Sequence, residues 1–189
     1  MSTDAHKKGV RILAVASGPV EGRSKTIAVG VVQREMTTEG ILSTSVEVDG
    51  TDSTAKILKM LVESKFRQQV KILAFDGVAL AGLNLVDAAR IAKESGATVL
   101  LLTRKRPRRN ALEKALREYS KAKGTNISGR LSILNYVDGL TSYKSSGFYV
   151  KSTAKMKESD ETVASAFEAL RLAHMIARGI SSGESRGRV

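Results

Sequence analysis

No cysteine occurs in the 189 residues, which excludes disulfides, thiolate metal sites and thiol nucleophiles without fixing a compartment. Tryptophan is also missing, and aromatics make up 4 % of the chain. Stacking on single-stranded bases is therefore not expected to carry much of any binding. Only two histidines occur, and one of them, His6, lies in the polar opening, so no His-His-carboxylate centre can be argued. No apolar run approaches the roughly 20 residues of a membrane span. Lys7, Lys8 and Arg11 accompany Val10 to Ala16 much as in an export signal, but only five apolar residues separate Arg11 from Ser17, too few for an export core. The expectation is a cytoplasmic protein with no membrane contact. No internal repeat or second core is visible, so one domain over 1–189 is expected, with 1–9 and 183–189 flexible.

Positive charge is abundant instead. Lys and Arg number 31 against 19 Asp and Glu, a formal net charge of +12. Between Arg104 and Arg130 ten basic residues face two acidic ones, a net of +8. A phosphate-binding surface requires such concentration, although a solvated basic face would also show it. The candidate contacts are Arg104, Lys105, Arg106, Arg108 and Arg109, then Lys114, Arg117 and Lys121 on one helix face.

Hydrophobic patterning predicts an α/β fold. Val10 to Ser17 reads as a strand covered on both faces, Thr26 to Val32 as a second, and Ile41 to Val48 as a third with Leu42, Thr44 and Val46 inward. Short connections make these an antiparallel meander. A helix follows, capped by Thr51 or Asp52, with Ile57, Leu58, Leu61, Val62 and Phe66 as its buried stripe. Val70 to Asp76 is a fourth strand, a second helix starts near Asn84, and Ala97 to Thr103 is a fifth strand parallel to the fourth. Asn110 to Lys123 forms a third helix, with Glu113 to Arg117 and Glu118 to Lys114 as pairs along it. Gly124 to Gly147 reads as loop with a short strand at Leu131 to Leu134. Phe148 to Lys151 is a sixth strand, and the last helix runs from Asp160 to Arg178, closed by Gly179. This is the order of a ribonuclease H-like fold: a mixed sheet of three antiparallel strands and then parallel ones, with helices on both faces and strands one and four adjacent.

Asp76 stands where an apolar run stops and Gly77 allows a sharp turn. Ligands in open α/β sheets collect beyond the carboxyl ends of strands, so Asp76 is placed for chemistry, or else merely turns the chain. Glu47, Asp49 and Asp52 put three carboxylates within six residues. Any of them could share a cation with Asp76, as in two-metal phosphodiester hydrolysis; alternatively Asp52 caps a helix and Glu47 faces solvent. Gly18 to Thr26 only imitates a phosphate-binding loop, because its spacing is wrong and a strand follows.

Four stretches carry a resemblance: V-E-V-D-G-T-D-S-T (Val46 to Thr54), L-A-F-D-G-V-A-L-A-G-L-N-L-V-D (Leu73 to Asp87), L-L-T-R-K-R-P (Leu101 to Pro107) and L-R-L-A-H-M-I-A-R-G-I-S-S-G-E-S-R-G-R (Leu170 to Arg188). Together they resemble the archaeal endonuclease dU family, related to endonuclease V. The resemblance implies a ribonuclease H-like fold and Mg²⁺- or Mn²⁺-dependent cleavage of DNA, rather than RNA, near deaminated bases. It implies Asp76 with Asp49 or Asp52 as metal ligands, Glu47, Asp49 and Asp52 all matching the family's acidic motif without fixing which ligates, His174 as a further catalytic candidate, and Arg186 and Arg188 as phosphate contacts. His174 also fits a buried helical stripe, and the final arginines a basic tail. Where the family has Asp-Asp-Gly at the end of its first strand, this chain has Ala16-Ser17-Gly18, which removes one or two anionic ligands. A nuclease with a shifted metal site and a binding protein that has lost cleavage both remain open.

Overall fold

Residues buried on both faces set the middle of the sheet. The computed structural model describes residues 9–106, 109–155 and 157–185; Arg108, Arg186 and Arg188 lie outside the described residues. β1 (Arg11–Ser17) buries Ile12 through Ala16 at 1 % exposure or less, so it is covered above and below. β2 (Lys25–Arg34) and β3 (Thr37–Glu47) return beside it as the expected meander, Ser17 opposite Ala28 and Thr26 opposite Val46. Both run further than the pattern predicts because Glu39 ties their turn to Arg11 at 2.6 Å and Arg34 at 2.8 Å. The hydrogen bond from Arg11 and the nearby Arg34 charge hold the Glu39 carboxyl below its usual range. Along β3, Val46 is buried and Leu42 and Thr44 half-buried, whereas Ser43, Ser45 and Glu47 are exposed, the expected alternation.

α1 (Ser53–Val62) buries Ile57, Leu58 and Leu61, but Val62 is 45 % exposed and Phe66 is buried beyond the helix end. β4 (Val70–Asp76) pairs parallel with β1, Leu13 opposite Leu73 and Val15 opposite Phe75. A small hairpin follows, β5 (Ala79–Ala81) and β6 (Asn84–Leu85). Here the expectation of a helix start near Asn84 is corrected. The buried Asn84 amide is spent on loop backbone, and α2 (Ala88–Ser95) starts only where Asp87 accepts the Arg90 N–H as its cap. β7 (Thr98–Thr103) lies parallel beside β4, Asp76 opposite Leu102.

After α3 (Arg109–Lys123) comes a second correction: the expected strand Leu131 to Leu134 lies inside α4 (Ser128–Asp138). Arg130, Leu134 and Val137 are its buried residues, steps of four and three that define one helical face. Four residues, three of them apolar, are too few for alternation to tell the two apart. β8 (Thr141–Ser145) and β9 (Phe148–Ser152) complete a seven-stranded sheet of order β3-β2-β1-β4-β7-β9-β8. α5 (Asp160–Ser182) runs through Gly179 and ends at Gly183, whose φ of 79° lets its N–H return to the Gly179 carbonyl.

Helices cover both faces. Val163, Ala166, Leu170, Ala173 and Ala177 of α5 pack on Ile12, Ala14, Ala16, Ile72, Ala74, Leu100 and Leu102. α1, α2 and α4 cover the face carrying Leu13, Val15, Leu73, Phe75, Val99 and Leu101, with Leu116 of α3 against Leu85, Ile127 and Leu134. This is the ribonuclease H-like mixed sheet that the element order implies. Among the described residues no helix is long and apolar enough to cross a membrane.

Candidate nucleic-acid interface at the strand ends

β1, β3, β4 and β7 point the same way, so Ser17, Glu47, Asp76 and Thr103 end on one rim. Ile72 and Ala74 face α5, and strand alternation keeps Asp76 on that side. There His174 of α5 brings Nε2 to 3.4 Å from Asp76 Oδ2, with the side chains 24 % and 51 % exposed. The approach lacks hydrogen-bond geometry, and His174 Nε2 is buried without a partner. Ala16 shares the α5 face, whereas Ser17 turns to the other and donates its hydroxyl to the Leu80 carbonyl. Ala16, Ser17, Asp76, Leu80 and His174 line a cavity of about 60 Å³, room for a cation or a water or two.

The acidic stretch goes elsewhere. Glu47 is exposed at the end of β3, three strands from β4, roughly 14 Å at the usual strand spacing. Asp49 turns to the β5–β6 hairpin: its Oδ1 accepts the Leu83 N–H at 2.7 Å, and its own N–H donates to the Ala81 carbonyl at 3.0 Å. Gly82 is left-handed, and a Cβ there would strike Asp49 Oδ1, so glycine is needed for conformation and for close approach. Asp52 occupies the N-cap position of α1 without capping it. Its Oδ1 instead accepts the Glu47 N–H at 3.1 Å and Asn84 Nδ2 at 2.8 Å. Asn84 also gives Nδ2 to the Glu47 carbonyl at 2.8 Å and takes the Ser53 N–H at 3.2 Å. From α4, the buried Arg130 donates Nη2 to the carbonyls of Asp49 and Gly50 and lies over the Tyr119 ring.

Asn84 thus joins the acidic loop to the hairpin, a role that its sequence position did not signal. Asn84→Ala removes three hydrogen bonds from a fully buried side chain and should lower unfolding free energy by about 3 kcal/mol. The check is the urea midpoint, which an unchanged value would contradict.

The residues present do not fit a two-metal hydrolytic centre. Such a centre needs several carboxylates around one spot. Among the described residues no group of three His, Asp or Glu side chains is placed to hold a metal ion. Asp76 and His174 come together; Asp49 and Asp52 are committed to the hairpin and its loop.

Basic residues surround the next opening along the rim. A cavity of about 760 Å³ extends from Asp76 between the sheet, α3 and α4. Leu101, Thr103, Leu112, Leu134, Val137 and Tyr149 give it apolar walls, and Arg106, Arg109, Lys144 and Lys151 line it with charge. Arg109 is partly committed, pairing with Asp138 and donating to Asn135 at 2.7 Å. Arg104 lies over the Phe167 ring, and Lys105 is exposed. Lys114, Arg117 and Lys121 occupy the outside of α3. There Arg117 reaches Glu113 at 2.6 Å and Lys114 reaches Glu118 at 3.8 Å, the pairs that their spacing predicts. Arg117 holds the Glu113 carboxyl below its usual range, so that arginine's charge is offset at neutral pH. Lys144, Lys151 and Tyr149 escaped sequence reasoning: Phe148 to Lys151 reads as a strand, but its partner β8, which brings Lys144 opposite Tyr149, lies in a stretch read as loop.

A seven-stranded mixed sheet of this order, with the carboxylate of its fourth strand beside the end of its first, places the chain in the ribonuclease H-like fold class. Within that class the chain belongs to the endonuclease dU family, whose profile matches residues 8–181. The UPF0215 protein of Methanothermobacter thermautotrophicus is 32 % identical over 96 % of this chain and 92 % of its own length. That of Pyrococcus horikoshii is 31 % identical, covering 95 % and 96 %. A crystal structure of a protein of unknown function from Archaeoglobus fulgidus superposes with a TM-score of 0.79 at 27 % identity, over 92 % of this chain and 99 % of that one. The catalytic domain of human endonuclease V shares the fold, with a TM-score of 0.52 at 16 % identity over 90 % and 82 %.

Proposed function

We propose that this chain binds DNA containing deaminated bases along the carboxyl rim of its sheet, as an endonuclease dU-like protein whose cleavage centre has lapsed. One observation carries the reading: Asp76, which meets His174 on one side, also borders a cavity of about 760 Å³ lined by apolar side chains and by four basic residues against two carboxylates, Asp76 and Asp138. That volume suits a base unstacked from the duplex. Arg106, Arg109, Lys144 and Lys151 would hold the flanking phosphates, with DNA preferred over RNA. Ala16 and Ser17 supply no anionic ligand beside Asp76, which argues for binding without efficient hydrolysis. Titration of duplexes carrying deoxyuridine or inosine against an undamaged duplex tests it. Damaged DNA should bind at least about tenfold more tightly, because a weakly paired base costs less to extrude. Equal affinities would leave charge alone to explain binding, and no binding would overturn the proposal.

A second reading, slow cleavage at the Asp76–His174 pair, draws on their 3.4 Å approach. Under it Asp76→Asn abolishes cleavage in Mg²⁺ or Mn²⁺ while leaving affinity intact.

A further inference from the structure

Aromatic side chains are scarce, and their distribution is uneven. Of the four phenylalanines, Phe66 and Phe75 are buried at 7 % and 1 % exposure. The other two, half-buried at the rim, stack on each other: Phe148 at the start of β9 and Phe167 on α5, ring centroids 4.0 Å apart at 26°. The exposed Arg104, one residue past the end of β7, lays its guanidinium 4.9 Å from the Phe167 centroid and 6.0 Å from that of Phe148.

Position ties this cluster to the strand-end pair. Asp76 lies opposite Leu102 and Thr103 opposite Tyr149, so Asp76, Arg104 and Phe148 stand at the ends of three neighbouring strands, all on the α5 face. Phe167 and His174 are seven residues apart on α5, two turns and about 10 Å along one stripe. The cluster is also held firmly. Ser146 and Gly147 are both left-handed, as a tight two-residue hairpin turn demands, and Ser145 and Ser146 donate to the Asp160 carboxylate and carbonyl at the start of α5.

We propose that Arg104, Phe148 and Phe167 form a stacking platform for one unpaired nucleobase of a strand that lies on the same rim as Asp76 and His174. A base has an apolar face that matches the rings or the guanidinium plane, and Arg104 adds a positive charge beside the adjoining phosphate. The platform is distinct from the large cavity, which opens on the other face of β7 and β9. It selects for a flanking base lifted from its partner and not for the identity of that base, because every base offers a π-face. The inference rests on the reading that a nucleic-acid strand lies on this rim.

The test uses the full chain and deoxyuridine-containing duplexes with 2-aminopurine placed in turn at each of the neighbouring positions. At saturation, fluorescence at one position should rise above that of the free duplex, where 2-aminopurine is quenched by its stacked neighbours. Phe148→Leu keeps an apolar side chain but removes the ring and should abolish that rise, weakening binding about five- to tenfold while the salt dependence stays the same. Arg104→Gln should weaken both. A rise at no position despite saturable binding overturns the platform alone, as does an undiminished rise in Phe148→Leu. Failure of the native chain to bind overturns the platform together with the function proposed above.

Discussion

The Ala16→Asp, Ser17→Asp double variant should cut deoxyuridine- or inosine-containing duplex in Mg²⁺ or Mn²⁺ at least about 100-fold faster than the native chain, since metal-activated water is worth several kcal/mol of barrier. Geometry assigns the two positions unequal shares. Ala16 lies on the α5 face with Asp76 and His174, whereas Ser17 faces the hairpin and is bonded to Leu80. Ala16→Asp alone should therefore recover more activity than Ser17→Asp alone. It also carries a thermodynamic signature. Ala16 is 1 % exposed, and a carboxylate there, beside that of Asp76, meets both desolvation and like-charge repulsion. Without metal the variant should melt well below the native chain. Millimolar Mn²⁺ should restore much of the loss, because an ion bound only by the folded state stabilises it. A variant that neither gains cleavage nor responds thermally to metal would show that position 16 does not complete the centre.

Affinity for damaged duplex should fall steeply with salt. If about five phosphates are neutralised, log K against log salt has a slope near −4.5, roughly a 500-fold loss between 50 and 200 mM. Arg106→Ala should reduce the slope by about one, because one phosphate fewer is then neutralised. Arg117→Ala should change it far less, because Glu113 offsets its charge within the chain. Asp76→Asn removes a negative charge from the rim and should leave the slope unchanged and affinity the same or higher. A flat salt dependence would contradict the rim interface altogether.

Much of the architecture was legible because two-sided burial leaves an unambiguous trace. Leu13 to Ala16, Ile72 to Phe75 and Val99 to Leu102 read directly as central strands, and the meander followed from short connections. What was not legible lies where local pattern is weak. L-S-I-L at 131–134 fits either period, and the β5–β6 hairpin has too few residues to show alternation. The candidate site divides in the same way. Asp76 was legible because a strand end fixes direction, whereas the helical stripe marked His174 only as a buried residue and its site candidacy came from the family resemblance. Asp49 and Asp52 come from an equally acidic stretch, but their partners, Leu83 and Asn84, sit on a hairpin that no local signal announced. Sequence spacing placed those carboxylates close to one another and could not say that backbone amides had already claimed them.

The most direct measurement is a single-turnover experiment on the native chain, at saturating protein, with deoxyuridine- or inosine-containing duplex in Mg²⁺ and then Mn²⁺. A lapsed centre predicts that the duplex is fully bound and stays intact over times in which the Ala16→Asp, Ser17→Asp chain cuts it. Cleavage by the native chain as fast as by that variant, abolished by Asp76→Asn, would contradict it.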